Sequence, residues 1–192
     1  MNSTELTHLM ISWITLSFAF AVDTAFIGIN EFLIEFPLTL IALGTGFVFH
    51  ELAHRQIAKN IGCHAEYRAW MPGLLLAVGL AIFTRGGLIF AAPGAVYISG
   101  KMLTSEENGK ISLAGPAMNI LVGLGFLFLL FNTSVPVLQR LGAIGAGVNL
   151  FLAAFNLIPF PPLDGSKVFQ WNPLIWLIAI AIPGAILSIF FF

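Results

Sequence analysis

Long apolar runs broken by short polar interruptions dominate the chain. Residues 9–27, 36–57, 111–131, 141–158 and 173–192 each approach or exceed the roughly 20 mostly apolar residues that a helix needs to cross a hydrocarbon core, so five transmembrane helices are predicted. Between the runs, residues 28–35 carry Glu31 and Glu35, residues 132–140 carry Pro136, and residues 159–172 are proline-rich. All three read as loops. The pattern shows no internal repeat, low-complexity tract or long linker, and residues 1–192 read as one integral membrane domain.

Residues 71–98 are apolar but divided by Arg85, Gly86 and Gly87 into two arms, each too short to span comfortably alone. Val96, Tyr97 and Ile98 favour strand, and a Gly-Gly step is a hairpin signal. A re-entrant or β-hairpin element dipping into the membrane is expected, with one long helix bent at the glycines as the alternative. The predicted architecture is an all-α polytopic membrane protein of about five to six transmembrane helices, with a small membrane-associated β-hairpin or sheet. If the 71–98 element enters and leaves on one face, Arg55, Lys59, Arg68, Lys101, Lys110 and Lys167 share a side, against Arg140 opposite. The positive-inside rule then places the N-terminus and those six residues in the cytoplasm of a cell-membrane protein.

Composition sharpens this picture. The chain is 58% hydrophobic and only 9% charged, with a mean hydropathy of +0.96, whereas about a quarter of residues are charged in soluble domains. A net charge of -1 gives no basic field for nucleic acid. Cys63 is the single cysteine, which excludes an intramolecular disulfide and a cysteine-based metal site. The N-terminal residues 1–8 lack Lys and Arg and contain Glu5, so the first run reads as a retained span.

The sharpest chemical feature is His50-Glu51-Leu52-Ala53-His54 at the end of the second run. Four-residue spacing puts both imidazoles on one helical face, where two nitrogens reach one zinc ion. Glu51, beside the first of them, suits a general base that takes a proton from water. Ionisable groups inside a span are expensive and read as functional by default. A third ligand must come from elsewhere, and Asp23 and Asp164 are the only aspartates. Asp164 is the better placed, after Pro159-Phe160-Pro161-Pro162 and before Gly165, although on local sequence alone it reads more readily as a turn-capping aspartate. Asn156 lies just upstream, where an amide could bind substrate or a developing oxyanion. Asp23 reads as a structural pairing residue, His8 and His64 as solvated loop histidines, and Gly115 and Asn119 as helix-packing and interhelical hydrogen-bonding positions. Trp13, Trp70, Trp171 and Trp176 read as interface or packing aromatics.

Together, His50-Glu51-Leu52-Ala53-His54, then Gly115-Pro116-Ala117-Met118-Asn119, then the segment from Asn156 through Pro159-Phe160-Pro161-Pro162-Leu163-Asp164-Gly165 resemble the landmarks of the site-2 protease family of intramembrane metalloproteases, in the family's order. The resemblance implies that His50, His54 and Asp164 bind one Zn2+, that Glu51 activates water, and that Asn156 assists substrate or oxyanion binding. It implies a minimal core without PDZ or CBS modules. It also implies a membrane-dipping strand region after the metal helix, and a single-span membrane protein substrate, whole or pre-cleaved. Ser166 stands where the family often has a second glycine. The competing class is a metal-ion transporter or channel, which would need a ladder of ligands through the bilayer; a structural scaffold would leave Glu51 unexplained.

Overall fold

The computed structural model describes residues 1–88 and 93–190. The first helix, α1 (Ser3–Ile27), starts at Asn2, whose side chain accepts the Glu5 amide at 2.7 Å, an N-cap that satisfies one of the helix's orphan donors. Gly28 breaks it from α2 (Ile29–Leu43), so residues 29–35 are helical and not the loop their glutamates suggested. Glu35 can sit on a helix because the Arg140 guanidinium lies 2.6 Å away, supplying the partner that the local pattern does not show. A wide π-turn, Gly44–Val48, joins α2 to α3 (Phe49–Asn60), making one continuous 32-residue membrane-length unit. Trp13 packs against Gly44 and donates its indole N–H to the Leu40 carbonyl at 2.8 Å.

A two-stranded antiparallel sheet follows, β1 (His64–Ala69) with β2 (Gly94–Ser99), register Tyr67↔Val96. Between the strands runs α4 (Met71–Phe83), and the Trp70 amide donates to the Pro93 carbonyl at 2.8 Å, so the excursion begins and ends at one place. The out-and-back expectation for residues 71–98 stands in this form. The two arms do not pair with each other, however: the first is helical, and the second pairs with β1, upstream of both. Gly86 (φ 80°) turns the chain against Asp23, and Arg85 lies over the Phe26 ring. Asp23 is exposed and makes no ion pair among the described residues, so the structural pairing expected of it is absent there.

The outer edge of β1 is closed by side chains of α1. Glu5 accepts the Tyr67 amide at 3.2 Å and His8 Nδ1 accepts the Ala69 amide at 3.2 Å. His8 is therefore a helical hydrogen-bond acceptor and not a solvated loop residue, while His64 is an exposed strand residue. Glu5 is almost fully buried and stands 2.7 Å from Arg55 on α3, so one carboxylate ties together the first helix, the sheet and the helix that carries the two histidines. The Tyr67 hydroxyl, also buried, meets Ser12 at 2.9 Å. Asn2, reaching across to Glu66, holds that carboxyl below its usual range, with Arg68 adding to the effect.

The remaining spans are α5 (Ser105–Asn132), α6 (Pro136–Asn156) and α8 (Pro173–Phe190). A capping box between Thr104 and Glu107 opens α5, and Pro136 opens α6, leaving only three residues of the expected 132–140 loop outside helices. Gly142 packs on the Leu130 backbone and Gly145 on the Phe126 ring, the close approach that small residues allow between membrane helices. Residues 159–172 are only partly loop: the short helix α7 (Asp164–Trp171) begins as soon as the prolines end. Five units are long and apolar enough to cross a membrane, and the chain is a multi-pass, mainly α-helical membrane protein. The last residues of the predicted 173–192 run, 191–192, lie outside the described residues.

Candidate metal centre

His50 and His54 stand one turn apart on α3 and are both buried, at 6% and 7% exposure. Their Nε2 atoms lie 2.9 Å from each other. Asp164, the first residue of α7, brings Oδ2 to 3.0 Å from His54 Nε2 and 3.4 Å from His50 Nε2. Two features place it there. The proline-rich segment folds back through consecutive bends, with the Leu163 amide donating to the Phe160 carbonyl at 3.0 Å, and Gly165 lets the helix start pack on the Leu157 and Ile158 carbonyls where a Cβ would collide.

The other faces of the imidazoles fix their tautomers. His54 Nδ1 is 2.7 Å from the Ile111 carbonyl, which can only accept, so Nδ1 carries the proton. His50 Nδ1 is 2.6 Å from Asn119 Oδ1, which accepts for the same reason, since the Asn119 amide nitrogen is committed to Gly46 O at 2.9 Å and Asn149 Oδ1 at 3.1 Å. In the neutral imidazoles both Nε2 atoms are then bare lone pairs. Three electron-rich atoms converge with no hydrogen between them, an arrangement that a cation resolves. The triangle's edges of 2.9 to 3.4 Å bracket the ~3.3 Å separation of tetrahedral ligands about 2.0–2.1 Å from zinc. Gly115 of α5 faces both Nε2 atoms, and a Cβ there would collide with them. These donors fit one zinc ion, and they are the group of His, Cys, Asp and Glu that geometry offers for a metal among the described residues.

Glu51 follows His50 on α3, half-buried, with no hydrogen-bond or ion-pair partner among the described residues. Asn156 ends α6, eight residues before Asp164, and its amide donates back to the Leu152 carbonyl at 3.0 Å. Lys167 reaches to 3.9 Å from Asp164 Oδ1. Asn119 makes the interhelical hydrogen bond expected of it, but its partner is the imidazole itself. No local sequence signal marks Asn149 or Glu5, both of which are buried.

A membrane-embedded bundle holding a converged His-His-Asp centre defines a polytopic metalloenzyme. The comparisons agree. The chain is 45% identical over 176 residues, covering 91% of this chain and 87% of the relative, to Putative zinc metalloprotease MJ0611 of Methanocaldococcus jannaschii. It is 28% identical over 149 residues to the like-named YwhC of Bacillus subtilis (70% of this chain, 68% of that one). To the like-named Rip2 of Mycolicibacterium smegmatis it is 30% identical over 134 residues (63% and 51%). No family model and no solved structure matches the chain. The chain belongs to this zinc metalloprotease family.

Proposed function

We propose that the protein is a site-2-type intramembrane protease that hydrolyses peptide bonds in the transmembrane segment of single-span membrane proteins. The observation that carries this reading is the convergence of His50, His54 and Asp164 among membrane-length helices. In this reading the three residues hold the ion, which when bound polarises the scissile carbonyl and acidifies water. Glu51 takes the proton of the attacking water as its oxygen bonds to the carbonyl carbon, and returns it to the amine as the C–N bond breaks. Asn156 turns its amide from Leu152 toward the developing oxyanion.

A substrate helix satisfies its own backbone and must unwind before water can attack it. The sheet offers a landing edge. Because Tyr67 and Ala69 donate their amides to α1, their pairs with Val96 and Gly94 are of the non-hydrogen-bonded kind, and the Val96 N–H faces away from β1. An extended substrate segment adds there as a further strand. We place the receiving edge along residues 88–98, of which 89–92 lie outside the described residues. The metal-transporter reading is not favoured: the donor group lies at one level of the bundle, and the relatives are named as proteases.

The test is zinc content and cleavage of a single-span substrate by detergent-purified wild type and Glu51→Gln. Retained zinc with cleavage reduced by at least about 100-fold, the scale of a lost general base, is expected. Equal cleavage by the two proteins would remove Glu51 from the reaction, and zinc flux into liposomes without any cleavage would favour transport.

A further inference from the structure

We infer that Asn149 is a positioning residue for the metal centre, acting through Asn119 to hold His50 in the tautomer that presents Nε2 to the ion. The inference rests on the reading of His50 as a zinc ligand. Asn149 lies on α6, fully buried and on a different helix from any proposed ligand. Its side-chain nitrogen faces two backbone carbonyls, Gly145 at 2.9 Å and Ala42 at 3.4 Å. Carbonyls only accept, so this end of the amide must be the NH2 and the other end the oxygen. That oxygen faces Asn119, which must therefore turn its own NH2 toward it, at 3.1 Å. The Gly46 carbonyl, in the π-turn, demands the same orientation at 2.9 Å.

Asn119 is then left with its oxygen toward His50, and His50 Nδ1 has no choice but to donate. The direction of every hydrogen bond in this row follows from carbonyls on α2, the π-turn and α6. Reversing either amide would place oxygen against oxygen in a site where both asparagines are 0% exposed, leaving buried polar groups without partners. Asn119 alone has one backbone carbonyl to orient it; with Asn149 it has two acceptors. His54 needs no such row, because the Ile111 carbonyl binds its Nδ1 directly.

The experiment measures zinc affinity by chelator competition and the visible spectrum of the Co2+-loaded protein for wild type, Asn149→Leu, Asn119→Leu and the double variant, in detergent. Outer-shell partners of metal ligands typically contribute 10–100-fold in affinity. Asn119→Leu should fall in that range, and Asn149→Leu should weaken zinc on the order of 10-fold and shift the cobalt bands. The double variant should bind no more weakly than Asn119→Leu alone. Asn149→Ser, which keeps a hydroxyl able to donate and accept, should recover part of the loss. Should leucine prevent folding, Asn149→Ala takes its place. Wild-type affinity and spectrum in the Asn149 variants would overturn the inference, as would losses that add in the double variant. Undiminished zinc affinity in His50→Ala would instead sink the ligand assignment beneath it.

Discussion

Gly115 occupies a position where a methyl group would meet both Nε2 atoms of the histidine pair. Overfilling a packed site costs about 1–3 kcal/mol, so Gly115→Ala should weaken zinc binding about 10–100-fold while leaving helix content unchanged, measurable by chelator competition and circular dichroism. Glu5 is a second sensitive point. It is a buried carboxylate beside a largely buried guanidinium, and removing one partner of such a pair strands the other at a cost of about 3–5 kcal/mol. Glu5→Ala should lower the unfolding midpoint in detergent well beyond Glu106→Ala, whose pair with Lys110 is exposed. The convergence of His50 and His54 was legible in the sequence because it depends on spacing within one helix. Asn149 and Glu5 were not, because their partners lie 30 and 50–62 residues away, and an isolated Asn or Glu carries no sign of such a distant neighbour.

The spans were readable among the elements because mean hydropathy over about 20 residues needs no tertiary information. Errors fell where tertiary partners override local signals. Residues 29–35 are helical, and the distant Arg140 pairs with Glu35 there, while a helix forms directly after the prolines with Gly165 seating it on the Leu157 and Ile158 carbonyls. β1 was not recognised as the partner of β2, since the mixed polar sequence His64–Ala69 gives little apolar signal and its partner lies beyond α4. The resulting register makes a paired prediction. Val96→Pro removes an outward amide together with part of the Val96 packing on the core and should reduce cleavage at least severalfold with zinc retained, whereas Tyr97→Pro strikes a ladder amide and should also destabilise the sheet. Equal cleavage by Val96→Pro and wild type would refute strand addition. Cleavage assays with zinc analysis, together with amide exchange at β1, distinguish the outcomes.

Across the whole molecule, the basic residues apart from Arg85 distribute six against one if the excursion through α4 returns to its starting side. With the N-terminus proposed to be cytoplasmic, a Cys63→Ser chain carrying Lys59→Cys should react with an impermeant maleimide only after cells are permeabilised, and one carrying Gln139→Cys should react on intact cells. The reverse pattern would invert the orientation. The proposed metal donors are also widely separated along the chain, with His54 on the second span and Asp164 beyond the fourth. At the ~5–20 residues per second of protein synthesis, the histidines leave the ribosome several seconds before the aspartate. On the proposed ligand assignment, the three-donor centre therefore cannot close until the chain beyond the fourth span has been made, and assembly of the proposed active site falls late in the protein's own biosynthesis.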